Sequence, residues 1–519
     1  MSSTVVESSD LAGQRNLRIE KLNKLRELGI NPFPSKSAKQ YSNKEIVEKF
    51  EEFNGKEIIL AGRITSLRLH GKLVFADITD ASGKIQLYVK SDELQKEDSN
   101  TLSFDELNLL DTGDFIEVKG EITKTQRGEI SILAKNIRLL TKAIRPMPTE
   151  MEEKEERYRR RYLDMNIHPE VRARFERRAI FWEKTREFLT KKGFYEVNIP
   201  VLEHTTGGAD AKPFVTHFDA LGEDFYLRIS HELPLKRLIG GGFEKVFDLG
   251  PRFRNEGLSE EHLPEHVAME FYWAYADYKD GMKLIMDLYR YVMQEVWRTQ
   301  QFKIKGFDVD LSKEWEILDY LPLLNSTFNV DVINDPVVKL NKVLEEKGVN
   351  LEGDINRNRV VDNLWKVIRK TIAGPAFLTG VPKFMSPLAK SNLENDQITD
   401  RFQPIIAGSE LGNGYSELND PLDQLERFTE QQGLRDAGDD EAQMLDIDFV
   451  EMLEYGMPPT VGWGHSERVF WFFEGVTAKE GVPFPQLKFT IDEATRKLYP
   501  ELKDEFDRQE KAKHGESQN

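Results

Sequence analysis

The chain has no cysteine in 519 residues, which removes disulfides, thiolate nucleophiles and Cys-bound zinc from its chemistry. No apolar run is long enough to cross a membrane. The first residues, MSSTVVESSDLAGQRN, lack the basic-then-apolar layout of a secretory signal, so a cytoplasmic location is expected. A basic excess is missing too. The net charge of −18 argues against nonspecific nucleic-acid binding through a uniformly basic surface, although phosphate contacts need only a local patch. What is present suits a globular protein: 39% hydrophobic residues, 31% charged, and length for roughly two to four domains.

The charge is uneven, with a basic stretch at 15–26, near balance over 55–145, and much of the acid excess beyond 300. The basic stretch predicts an amphipathic helix within an N-terminal helical extension over 1–50. Leu17, Leu22, Leu25 and Leu28 would share one face and Gly29 would end it. From 55 to 145 the rhythm changes to five alternating strands in about 90 residues, the size of a Greek-key barrel of the OB type. A larger unit over 146–505 follows the linker RPMP. It opens with a helix at 170–192 whose inward face would carry Phe175, Ala179, Trp182, Thr185 and Leu189. Strand signals dominate 194–278 and helix returns at 280–299, while 300–375 reads as a helical, acidic insertion. Strands resume at 376–420, and a Gly-rich turn at 462–464 precedes a last helix. The polar tail, 506–519, is expected to be disordered.

Three segments carry chemistry. In the first, PRFRNE and HVAMEFYWAYADY form a long-looped hairpin. Strand alternation gathers Arg252, Arg254, Glu256, His266, Glu270 and Tyr272 on one face, with Ala268 and Ala274 leaving room for a ligand. Val267, Met269, Phe271 and Trp273 take the other face and would pack on the core. Burying so many polar groups is expensive without ligands or partners; the plainer alternative is a surface hairpin with solvated charges. In the second, SELGNGYSELND, alternation puts Asn413, Tyr415 and Glu417 together. Glu410 joins them only if Gly412 or Gly414 bends the chain. Two such carboxylates suit Mg²⁺ bridging nucleotide phosphates, and an acidic turn is the plainer reading. In the third, PPTVGWGHSER, Ser466 is a candidate N-cap that would put Arg468 in the first turn of a helix.

Phe-Arg-Asn-Glu-Gly, then His-x-Pro-Glu and MEFYWAYADY, resembles motif 2 of the class II aminoacyl-tRNA synthetases, and the wording is close to the lysyl members. ELGNGYSELND resembles another segment of that family, and GWGHSER resembles its motif 3, one residue shorter and with His-Ser-Glu before the Arg. GGADAKPF (207–214) resembles the family's GGAxAKPF. The helix at 170–192 with GFYEVNIPVL stands where motif 1 does, spanning about 170–202. Motif 2 then covers about 250–278 and motif 3 about 458–475. Two further departures are Leu263 and His266, where the family has Asn and a Phe that stacks on adenine.

The resemblance implies an α+β fold, an OB barrel plus a catalytic domain of antiparallel sheet flanked by helices. It implies ATP-dependent activation of lysine and transfer to tRNA(Lys), with Mg²⁺ as cofactor and a homodimer built on motif 1. Arg254 and Arg468 would be catalytic. Asn255, Glu256, His262, Leu263, His266, Glu410 and Leu411 would join them around ATP, with metal at Glu410 and Glu417. Gly208, Glu232, Arg254, Glu270, Tyr272, Asn413, Tyr415 and Glu417 would hold lysine. Two carboxylates repel each other unless a cation sits between them, and lysine supplies one. In the barrel, Arg63, Phe75, Gln86 and Glu129 would read the anticodon, and the basic helix at 15–26 is a candidate for the tRNA backbone. The rivals are an aspartyl- or asparaginyl-type synthetase, a noncatalytic RNA-binding paralogue, and a ligase that attaches lysine-like groups to a protein.

Overall fold

The computed structural model describes residues 8–351, 355–439 and 441–513. The chain forms two compact units, one of residues 1–152 with 487–519 and one of residues 153–486. The second therefore ends before the expected 505.

In the first unit, strands Glu57–His70, Leu73–Thr79, Lys84–Lys90, Phe115–Lys124 and Ile130–Thr141 close into a barrel. Each strand alternates because one side of a closed sheet faces a dry core. Val74, Ala76 and Ile78 point inward beside Ile85, Leu87 and Val89. Helix Ser8–Glu27 buries Leu22 and Leu25 but leaves Leu17 and Leu28 exposed, which corrects the expected face. Arg18 is buried instead, and its Nη1 donates to the carbonyls of Thr112, Ala143 and Arg145. The tail is also corrected. Lys503–Lys513 is a helix, held to Glu493–Leu498 by Arg496 pairing with Asp507 and Glu510, each at 2.7 Å. Residues 514–519 of the expected disordered tail lie outside the described residues.

Asp80 ties the segment before the barrel to its second turn. It accepts from Lys39 Nζ, the Asn43 amide, and the amides of Ser82 and Gly83. Burial alone would raise its carboxyl, but the bonds from Lys39, Ser82 and Asn43 outweigh it and hold the group at about 2, below its usual 3.8. A lowered carboxyl stabilises the fold fully above its unfolded value and loses that contribution as pH falls through the folded one. Asp80→Asn should therefore lower the unfolding temperature at pH 7 by about 2–4 °C. The gap to wild type should close as the pH approaches 2, which thermal unfolding across pH measures directly.

In the second unit the main sheet runs in the order Glu316–Asp319, Ala376–Thr379, Arg401–Ile406, Asn413–Ser416, Thr460–Ser466, Glu265–Ala274, Lys245–Phe253, Tyr195–Glu196. Pairing is antiparallel except at its two ends. One face is apolar: Met269, Phe271, Phe402 and Trp463 pack under helices Pro169–Lys191 and Tyr278–Trp297. The helix Pro169–Lys191 buries Val171, Phe181, Trp182, Thr185, Phe188 and Leu189. Ala179 is exposed and Phe175 half-buried, so the inward stripe is rotated from the expected one.

The 300–375 stretch carries the expected helices, but strands as well. Gln301–Ile304 and Phe307–Asp310 form a hairpin, and Glu316–Asp319 is an edge strand of the main sheet, parallel to Ala376–Thr379. Its helices Tyr320–Phe328, Val337–Glu346 and Arg357–Arg369 share a core with Ala376, Leu378 and Ile405 of that sheet. The 462–464 segment is corrected as well. Thr460–Ser466 is a central strand rather than a turn, and several helices follow it.

Candidate active site

The sheet face opposite the helices floors a cavity of about 380 Å³. Register builds its rows. Asp248, Glu270, Gly464 and Asn413 lie on one rung, and Val246, Tyr272, Gly462 and Tyr415 on another. Arg252 faces His266 nearer the loop. The glycines of the central strand are what make this floor concave. A Cβ on Gly462 would stand 2.0 Å from Glu417 Oε1 and 2.4 Å from the Tyr272 ring, and one on Gly464 would stand 2.9 Å from Glu270 Cγ. Gly412, at φ +121°, breaks the strand between Ser409–Glu410 and Asn413–Ser416, so Glu410 reaches the same cavity despite its parity.

One end is built for an anion. Arg252 Nε donates to His266 Nε2 at 2.8 Å, and His266 Nδ1 donates to the Leu263 carbonyl at 3.2 Å, which fixes the ring as the Nδ1–H tautomer. Burial first, then Arg252 and Arg254, push His266 down to about 2, so it stays neutral. Arg254 continues the hairpin through its amide to Pro264. Its Nε is buried without a hydrogen-bond partner, and no ion pair to it exists among the described residues. Arg401 Nε donates to Asn413 Oδ1 at 2.7 Å, which turns the Asn413 amide nitrogen away from Arg401 and leaves it as a donor.

The other end is acidic. Glu232 accepts from Lys236 Nζ and from Tyr415 Oη, each at 2.6 Å. Lys236 also pairs with Glu417, and all three side chains are buried. Burial pushes Glu232 and Glu417 up while Lys236 pulls against it. Glu417 Oε1 has no hydrogen-bond partner. Burial opposes ionisation of Glu270 too, yet His231 and Arg252 prevail and hold it at about 2. Its oxygens also accept from Ser230 Oγ at 3.0 Å and Tyr272 Oη at 3.4 Å. Gly208, at φ +84°, closes this end within 2.7 Å of Glu232 for any added Cβ. Lys236 stands between Glu232 and Glu417, so one of the two acids expected to face a substrate ammonium, Glu417, already has an internal cation beside it.

At the mouth, Glu410 Oε1 accepts from Trp365 Nε1 at 2.5 Å and pairs with Arg369 at 2.9 Å, so both contacts fall on one oxygen. Arg468 begins helix Arg468–Glu474; Glu467 precedes it as cap, and Ser466 Oγ accepts the Arg468 amide instead of capping further on. Glu256, His262, Leu263, His266, Leu411 and Arg468 line the cavity, whereas Asn255 is on the exposed loop and does not. Sequence reasoning missed Lys236, Arg401, Trp365 and Arg369. Only Lys236 carried a local signal, its four-residue spacing from Glu232.

The barrel gathers the remaining candidates on its outer wall. Phe75 stacks on Tyr88 with centroids 4.9 Å apart and planes at 9°. Gln86 accepts from Ser131 at 3.0 Å, and Glu129 is exposed just before that strand. Arg63 lies 4.3 Å over the Phe115 ring and donates to the Gly113 carbonyl. Tyr88, which the sequence reading did not single out, makes Phe75 one half of a stacked aromatic pair.

The family described as tRNA synthetases class II (D, K and N) matches residues 153–488, and the OB-fold nucleic acid binding domain matches 58–140. The chain therefore belongs to the class II tRNA synthetases. Relatives similar to it over most of its length include lysine–tRNA ligases. The one from Fervidobacterium nodosum is 43% identical over 485 residues, covering 91% of this chain and 94% of its own. Those from Thermotoga maritima and Carboxydothermus hydrogenoformans are 41% and 39% identical, covering 91% and 93% of this chain and 95% and 99% of their own.

Proposed function

We propose that the protein activates L-lysine with ATP and transfers it to the 3′ end of tRNA(Lys), releasing AMP and pyrophosphate. What supports this is a cavity with the half-buried Arg254 at one end, its guanidinium without an ion pair among the described residues and its Nε buried with no hydrogen-bond partner, and buried acids at the other end. A lysine laid between them puts its carboxylate at Arg254 and Asn413 and its ε-ammonium among Glu270, Tyr272 and Glu417. Its α-amino group meets Gly208 and Glu232. Aspartate would set a carboxylate against carboxylates, which disfavours the aspartyl-type reading.

Lysine's carboxylate oxygen attacks the α-phosphorus and the bond to pyrophosphate breaks; the terminal ribose hydroxyl of tRNA then displaces AMP. Arg254 and Arg468 neutralise phosphate charge, and positioning supplies much of the rest. His266, neutral, offers its ring to adenine near Glu256, His262 and Leu263. Among the described residues no cluster of three or more His, Asp or Glu is placed to hold a metal by itself; Glu410, whose contacts crowd one oxygen and leave the other open, would hold Mg²⁺ with ATP phosphates completing its shell, and Glu417 is the second carboxylate proposed for it.

The barrel would read the anticodon with Phe75 as platform and Arg63, Gln86 and Glu129 at base edges. A homodimer is favoured by exposed Tyr195, Leu202, Val215 and Phe218, which follow helix Pro169–Lys191. Among the described residues no helix is long and apolar enough to cross a membrane, and the reaction belongs to cytoplasmic translation. The test is charging of total tRNA with labelled amino acids. Label from lysine should become acid-precipitable; transfer of aspartate or asparagine alone would sink the proposal.

A further inference from the structure

We propose that Lys305 binds the terminal phosphates of ATP together with Arg468, and that Glu261 holds these two cations in place until the nucleotide displaces it; this rests on the ATP-dependent function proposed above. Lys305 occupies the two-residue turn of the hairpin Gln301–Ile304 and Phe307–Asp310, with φ +50° followed by Gly306 at φ +85°. Both signs are those of the tight turn that a two-residue hairpin requires. The turn places Lys305 Nζ 3.1 Å from Ser409 Oγ and 3.4 Å from Glu261 Oε1. The other oxygen of Glu261 pairs with Arg468 Nη2 at 2.5 Å. One carboxylate thus bridges two cations that come from different elements.

The cations are anchored apart from Glu261. Arg468 Nη1 donates to the Glu410 carbonyl at 3.2 Å, and Lys305 is held by Ser409, the residue before Glu410. Glu261, itself half-buried, rides on the otherwise exposed loop 255–262, where a Cβ added at Gly257 would meet nothing within 4 Å. Loss of the Glu261 carboxylate would leave a lysine and an arginine held on the Ser409–Glu410 segment, Lys305 by the Ser409 hydroxyl and Arg468 by the Glu410 backbone carbonyl. A terminal phosphate offers more oxygens and more charge than a carboxylate and is the better partner for that pair. A partly exposed ion pair is held weakly, so the exchange needs little driving force. Burial would raise Glu261, but Arg468 and Lys305 hold it below its usual value, which keeps it an anion in the empty site.

The competing view is that Glu261 only pins the loop. It predicts the opposite sign, because a loosened loop would weaken nucleotide binding. Calorimetric titration of full-length wild type, Glu261→Gln and Lys305→Gln with ATP and Mg²⁺, and separately with AMP, separates the two. Glu261→Gln should bind ATP about 3- to 10-fold more tightly and Lys305→Gln about 3- to 10-fold more weakly. AMP, lacking the terminal phosphates, should change by less than about twofold in both. The proposal is overturned if Glu261→Gln binds ATP no more tightly than wild type, or if Lys305→Gln weakens AMP as much as ATP. Lysine-dependent pyrophosphate exchange by wild type is read in parallel. Its absence would defeat the ATP-dependent reading itself, while normal exchange with unmoved ATP affinities in both variants would defeat this inference alone.

Discussion

Arg254→Ala should lower lysine-dependent ATP–pyrophosphate exchange by about a hundred- to a thousandfold while the protein keeps its fold. Two observations support both halves of that expectation. The guanidinium makes no ion pair among the described residues and its Nε has no hydrogen-bond partner, so removing it breaks no internal contact of that kind. Its backbone pairing to Pro264 persists in alanine. The charge is therefore free for the ligand proposed above. Arg254→Lys should recover only part of the loss, because an ammonium cannot fork onto two oxygens. A thermal unfolding temperature close to wild type, with kcat reduced more than the KM for lysine, would place the effect in the transition state. A loss confined to KM would move Arg254 to ground-state binding.

Gly462→Ala is expected to abolish lysine recognition more completely than ATP binding. The added methyl cannot avoid Glu417 Oε1 and Tyr272 together, at 2.0 and 2.4 Å, because both are buried and held by neighbours. Glu417 is tied to Lys236, and Tyr272 Oη donates to Glu270. Overpacking of this kind costs about 1–3 kcal/mol in a tight interior. Here the relief falls on the residues proposed to hold the ammonium, so the KM for lysine should rise by about 10- to 100-fold. Titration with ATP alone should change far less. Gly433→Ala, where an added Cβ meets nothing within 4 Å, is the control and should behave as wild type. Equal damage to lysine and ATP binding in Gly462→Ala would mean a collapsed site instead of a crowded pocket.

These two residues also show what the sequence could and could not disclose. Period-two alternation is a local property, so the hairpin floor around Arg252, His266 and Glu270 and the five barrel strands were legible. Gly462 and Gly464 were read as a turn because glycine is so often one. Their reason is tertiary: room for Glu417, Tyr272 and Glu270 from other segments. Lys236 belongs to the same lesson. Its tie to Glu232 is helical spacing, but its tie to Glu417 exists only once a distant strand arrives. The 300–375 stretch misled for a related reason. Glu316–Asp319 is four residues long and finds its parallel partner at Ala376–Thr379, across three helices, so no alternation within the stretch reveals it. Trp365 and Arg369 on the last of those helices then reach Glu410, which ties the segment to the mouth of the site.

The most direct test of the central claim is ATP–pyrophosphate exchange by the purified full-length protein with each of the standard amino acids in turn. Lysine should drive exchange well above every other amino acid, with Mg²⁺ required. No exchange with lysine, or stronger exchange with aspartate or asparagine, would contradict the account.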